Sequence, residues 1–128
     1  MNKNSRLKKE LFRLWQECQA IIWKHGCGWC MKPGPITGHH IIIRNYKLTA
    51  WKLLNGIGLC DDCHRKVHDD EHADKELLEH IRNKWPHIFN YHAKFWPLAR
   101  RNTHVFLKHE LIEIRSELKR FIETHNDA

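Results

Sequence analysis

The chain has 128 residues, 41% of them hydrophobic, and its 22 Lys and Arg against 15 Asp and Glu give a formal net charge of +7. That length fits one domain with a modest core, small enough to benefit from a metal clip. The hydrophobic content and six Trp argue against a disordered chain, no apolar run is long enough for a transmembrane helix, and the charge excess points to a polyanionic partner, most commonly nucleic acid.

Lys8, Lys9, Glu10 and Arg13 interrupt the stretch from Leu7 to Leu14, which is therefore not the apolar segment of a secretory signal. A reducing, cytoplasmic setting is expected, where paired Cys-x-x-Cys motifs read as metal or redox chemistry. Leu7, Leu11, Leu14, Trp15, Cys18, Ile21 and Ile22 recur at helical spacing and predict an amphipathic helix over 6–24. Cys18 lies on its apolar stripe and reads as a buried free thiol. Gly26, Gly28, Pro33, Gly34, Pro35 and Gly38 mark 25–38 as a loop. Ile36 to Arg44 predicts a strand with His39 and His40 near its start. Residues 45–55 read as a loop with a short turn, and Gly56 to Leu59 as a second strand.

Asp61 to His68 predicts a short helix with His64 and His68 on one face. Asp69, Asp70 and Glu71 are acids suited to the start of the next helix. Leu77, Leu78, Ile81 and Trp85 mark its course, and Pro86 stops it. Residues 87–101 mix aromatic and basic side chains around Pro97 and carry no element assignment. Thr103 is placed to cap a last helix, in which Leu107, Leu111, Ile114, Leu118 and Phe121 form a 3-4 seam. That seam suits packing on the N-terminal helix, or homodimerisation, so monomer and homodimer both stay open. The expected fold is α+β and mostly helical. One domain spans 1–128, with a ββα core over 25–70 and helical flanks at 6–24 and 71–125.

Two Cys-x-x-Cys pairs, Cys27/Cys30 and Cys60/Cys63, offer four thiolates. Two such knuckles facing one ion make a closed tetrahedral site, the usual arrangement of structural zinc. Thioredoxin-like redox chemistry is the competing reading, but it expects one pair beside a βαβ unit. His25 is an alternative ligand. His64 and His68, at i and i+4, stand one turn apart and can share a cation. The competing reading makes them extra ligands in a Cys/His finger. His39 and His40 are adjacent on a strand and point to opposite sides.

Gly38-His39-His40-Ile41-Ile42, then Asn55-Gly56-Ile57-Gly58-Leu59-Cys60, then Cys63-His64 and His68 resemble the HNH endonucleases of the ββα-metal class, in their zinc-knuckle branch. The resemblance covers residues 27–68. The flanks, with Leu14-Trp15 and Leu48-Thr49-Ala50-Trp51, look like small phage-encoded members, which would place the chain in a host cytoplasm. The resemblance implies that His39 and His64 hold a catalytic metal, with His68 as third ligand. It implies that His40 is the general base for water, and that Asn55 bonds back to the loop that orients this base. Many members have Asp where this chain has His39. Three imidazoles suit Zn²⁺, Ni²⁺ or Mn²⁺ better than Mg²⁺, which prefers oxygen.

The implied activity is metal-dependent hydrolysis of DNA phosphodiesters, by nicking or double-strand cleavage. A zinc-stabilised DNA-binding module without catalysis is the alternative. Arg44, four residues past His40, could clamp a phosphate or be a solvated strand-end residue. Lys3, Arg6, Lys8 and Lys9 form the clearest basic cluster. Arg100 and Arg101 close an aromatic-basic stretch that could line a DNA groove or be the rim of a hydrophobic plug. The remaining histidines, His72, His80, His87, His92, His104, His109 and His125, are expected at the surface.

Overall fold

The structure, a computed structural model, describes residues 4–101 and 105–125. The elements in chain order are α1 (Ser5–Ile22), β1 (Thr37–His40), a 3-10 turn (Leu53–Asn55), β2 (Gly56–Leu59), α2 (Asp61–Asp69), α3 (Glu71–Lys84), α4 (Pro86–Arg101) and α5 (Lys108–His125). The fold is α+β and mostly helical. The strands pair antiparallel, with Gly38 opposite Gly58 and His40 opposite Gly56. Thr103, the expected cap of the last helix, lies outside the described residues.

Helix α1 organises the molecule because its apolar stripe serves two neighbours. One edge meets α5. Leu11, Leu14, Trp15 and Cys18 bury against Leu111 and Leu118, with Ile114 and Phe121 beside them. The seam of α5 is thus packed on the N-terminal helix. Each such side chain contributes roughly 1.5–3 kcal/mol of transfer free energy, and Arg115 adds an ion pair to Glu10 at 3.2 Å across the same contact. Cys18 is the buried thiol expected: it donates to Leu118 O at 3.6 Å. Burial, and then Glu17, push its pKa up to about 11.

The other edge of α1 lies on the hairpin. Trp15, Gln19 and Trp23 recur every four residues, so they share a face. That face fits only because the hairpin is glycine there: a Cβ on Gly38, Gly56 or Gly58 would come within 2.9 Å of Trp15, Gln19 or Trp23. Gln16 clamps β1 from the same helix. Its Oε1 accepts from Gly38 N at 2.7 Å, and its Nε2 donates to Gly38 O at 2.9 Å. Gly58→Ala should therefore cost about 1–3 kcal/mol by overpacking. A lower urea midpoint at unchanged slope would report it; an unchanged midpoint would mean that α1 does not sit this close.

A second cluster joins Trp23, Cys27, Ile57 and Leu59 to Val67, Leu77, Ile81 and Ile88. It holds α2, α3 and α4 against the outer face of the hairpin. Asp70 caps α3, accepting from His72 N at 2.9 Å.

Two expectations change. The first strand ends at His40 instead of Arg44. The side chain of Asn55 takes both the N–H and the C=O of Ile42, replacing the strand partner that Ile42 would otherwise need. Residues 86–101 form a continuous helix. Pro86 is its first residue, a position where proline lacks nothing the helix requires. Pro97 sits inside it. Pro97 and Ala93, the residue whose carbonyl it leaves without an amide partner, are both exposed, so water can take that bond. The stripe Ile88, His92, Phe95, Ala99 carries the helical period.

Candidate functional site

The Cys27–Cys30 knuckle is a tight turn. Cys27 N donates to Lys32 O at 3.0 Å and Met31 N to Cys27 O at 3.1 Å. Met31 is left-handed at φ 65° and Gly26 takes φ 124°. A Cβ on Gly26 would stand 2.4 Å from Lys32 O, so glycine is required there. The knuckle docks on β2 through Gly28 N, which donates to Gly58 O at 2.7 Å. His80 Nε2 and Trp85 Nε1 both donate to Gly28 O at 2.9 Å. His80 is therefore half-buried and structural, not a free surface residue.

Cys60 is the N-cap residue of α2 and Cys63 lies in its first turn. The two knuckles meet, and the ligand atoms of Cys27, Cys30, Cys60 and Cys63 all lie within 4.8 Å of one another. Sulfurs about 2.3 Å from a tetrahedral zinc stand about 3.8 Å apart. Cys30 Sγ and Cys60 Sγ are 3.7 Å apart. The quartet fits zinc in ligand type, number and spacing. Burial works against ionising Cys27. The backbone amides of Cys60, Cys30 and Trp29 outweigh it and bring this thiol down to about 7, towards the thiolate that a metal needs. His25 is exposed and is not in the cluster.

On the same face of the hairpin as Ile57, His39 meets the exposed side of α2. Its ring lies 5.7 Å from that of His64 and 5.8 Å from that of His68. His64 Nε2 and His68 Nε2 are 3.0 Å apart. All three residues can bring a ring nitrogen within 4.8 Å of the other two. Nitrogens about 2.0–2.1 Å from one shared ion come about 3 Å apart at near-right-angle geometry, so these side chains suit a single cation. Burial, then the neighbouring His64, His68 and His40, lower the His39 pKa to about 4; burial and His68 also lower that of His64. Neutral imidazole is the ligating form.

His40 turns to the opposite face. Its ring stacks on Trp15 at 3.8 Å between centroids, and Phe12 lies near-parallel at 6.2 Å. Nε2 is 2.8 Å from Ala50 O. A carbonyl can only accept, so Nε2 carries the proton and Nδ1 keeps its lone pair. Burial holds the His40 pKa down to about 4, against the raising effect of the Ala50 carbonyl and with a further lowering from Arg44. The ring is thus neutral near pH 7, and one nitrogen is ready to accept a proton.

Asn55 secures the segment that supplies this carbonyl. Nδ2 donates to Ile42 O at 2.9 Å and to Thr49 O at 3.1 Å, while Oδ1 accepts from Ile42 N at 2.7 Å. Both ends of the 42–49 loop are tied to one buried side chain, and Ala50 follows directly. Asn55→Ala removes three hydrogen bonds and takes this partner from both the N–H and the C=O of Ile42, while Thr49 O keeps Lys52 N at 3.2 Å; it should cost about 1–3 kcal/mol. It should also speed amide exchange at Ile42, and exchange at the parent rate would count against the tether.

The basic candidates separate. Lys8 and Lys9 share a pocket with Arg44, while Arg6 lies by Lys108 and Arg115 of α5. Arg44 sits 4.3 Å over the Phe12 ring. Arg100 and Arg101 close the last turn of α4, with Arg100 5.9 Å from the Trp96 ring centroid. Lys3 lies outside the described residues. His92 is half-buried beside His39 and Asp74, not on the open surface. Lys47, which lines the pocket with Arg44, was missed in the sequence because it is a lone lysine in a segment with no clear period. No family model, no curated protein and no solved structure matches the chain.

Proposed function

We propose that the chain is a metal-dependent DNA endonuclease of the HNH type, with β1, β2 and α2 as its ββα-metal core. One observation carries the reading. The adjacent residues His39 and His40 go to opposite faces, one to a three-imidazole cluster and the other to a tautomer fixed by Ala50. A structural finger has no use for the second arrangement.

In this reading Cys27, Cys30, Cys60 and Cys63 hold a structural zinc, and His39, His64 and His68 hold the catalytic ion. When bound, that ion supplies Lewis-acid stabilisation of the phosphate and of the leaving 3′ oxygen. His40 Nδ1 accepts the proton of the attacking water. The Ala50 carbonyl then stabilises the resulting imidazolium through Nε2–H. Asn55 keeps that carbonyl in position, and Trp15 holds the ring plane. DNA is the expected partner, on the charge argument and on the cations beside His40, which have no ion-pair partner among the described residues.

Nicking of supercoiled plasmid by protein loaded with one zinc per chain tests the reading, with Mn²⁺, Ni²⁺, Zn²⁺ or Mg²⁺ added in turn. Nicking should require an added ion and stop when His64→Ala is used. Tight DNA binding with no nicking under any of the four would favour the zinc-stabilised binding module instead.

A further inference from the structure

Among the described residues, four cations and no carboxylate line a pocket of about 320 Å³ between the first turns of α1 and the segment after β1. They are Lys8, Lys9, Arg44 and Lys47, and Phe12 and Trp51 form part of the wall. Four other cations of the chain stand in ion pairs: Arg13 with Glu17, Lys66 with Glu76, Arg82 with Glu79, and Arg115 with Glu10. None of the four pocket cations has such a partner among the described residues. Like charges gathered without a counter-ion repel one another and destabilise the fold locally, and an arriving anion relieves that. Lys47 registers the crowding: burial, then Lys8 and Arg44, lower its pKa.

The pocket is also joined to His40. Phe12 carries the Arg44 guanidinium on its ring and lies near-parallel to the His40 imidazole. Trp51 follows Ala50, whose carbonyl holds His40. The volume is at the lower end of ligand clefts, roughly 300–1,000 Å³. It admits a nucleotide-sized group and not a folded partner.

We propose that this pocket holds a backbone phosphate of the DNA strand next to the phosphodiester presented to His40, with Lys8, Lys9, Arg44 and Lys47 as its ligands. The proposal rests on the endonuclease reading for the position of the scissile bond. It assigns Lys47 a substrate contact and gives the α1 side of His40 a fixed place on the strand.

The test is binding of a short labelled duplex to protein loaded with one zinc per chain across a salt series, with no other divalent ion present, so that no cleavage is needed. Lys8→Gln/Lys47→Gln is compared with Lys119→Gln/Arg120→Gln, an equal charge loss on exposed positions of α5. Zinc content and helical signal check that each variant folds. The pocket pair should lower the slope of log affinity against log salt by up to about one, the share of the single phosphate contact at stake, and weaken binding at least tenfold. The α5 pair should leave the slope near that of the parent. Equal effects from the two pairs, or none from the pocket pair, would overturn the proposal. So would capture by phosphatidylserine vesicles without duplex binding. If the parent nicks plasmid but the pocket pair binds as it does, the pocket fails and the nuclease reading stands. If the pocket pair loses binding but the parent never nicks, the reverse holds.

Discussion

His40→Ala is expected to slow DNA cleavage about 10²–10⁴-fold, the usual contribution of a positioned general base. The residue is not in either ligand cluster, so zinc content, catalytic-metal affinity and duplex binding should stay close to those of the parent. Its ring does pack on Trp15, so some stability will be lost. His40→Gln keeps a polar side chain at the Ala50 carbonyl and serves as the fold control. The low pKa adds a pH signature. With His40 at about 4, the base is neutral well below pH 6.5, where an ordinary imidazole is half protonated. Protonation removes the base, so kcat/KM should fall only as pH drops towards that lower value. An acid limb centred near pH 6.5 would assign the base to an unperturbed histidine elsewhere.

Removing the zinc should do more than silence the protein. The Cys27–Cys30 knuckle is anchored to β2, to His80 and to Trp85 through Gly28, and Cys60–Cys63 begins α2. One ion at this junction would tie the loop, the hairpin and two helices. Apparent binding energies of structural zinc are about 10–16 kcal/mol near pH 7, against typical domain stabilities of about 5–15 kcal/mol. Cys60→Ser should therefore release zinc and unfold the half of the molecule built on Ile57, Leu59, Leu77 and Ile81. The α1–α5 contact lies in the other cluster and should lose less. Metal analysis and circular dichroism read both effects. A zinc-free protein with full helical signal and an unchanged melting temperature would refute the structural role.

Local chemistry was legible in the sequence, and distant contacts were not. Cys-x-x-Cys knuckles and an i, i+4 histidine pair fix their geometry within a few residues. The quartet and the His64/His68 pair follow from spacing, and His39 joins that pair only through the family resemblance. The stripe of α1 and the seam of α5 were readable for the same reason, as simple 3.6-residue periods. Ile41 to Ile43 has the composition of a strand, yet β1 ends at His40. What ends it is a side chain thirteen residues away, Asn55 on Ile42. Helix α4 was obscured by Pro97, although the Ile88–His92–Phe95–Ala99 period was present. Nothing local revealed that Trp15 would lie under His40, that Ala50 would fix its tautomer, or that His80 would bind Gly28. Each pairs residues ten or more positions apart, and only the packing of α1 and α3 on the hairpin brings them together.

The most direct measurement of the central claim is the single-turnover rate of plasmid nicking, taken beside the metal content of the same samples. The parent, His40→Ala and His64→Ala are compared. The parent should hold two ions per chain, one of them zinc, and its nicking should depend on the second. His40→Ala should keep both ions and lose the rate. His64→Ala should keep the zinc and lose the other ion together with the rate. Nicking by His40→Ala at the parental rate, with both ions in place, would contradict the account.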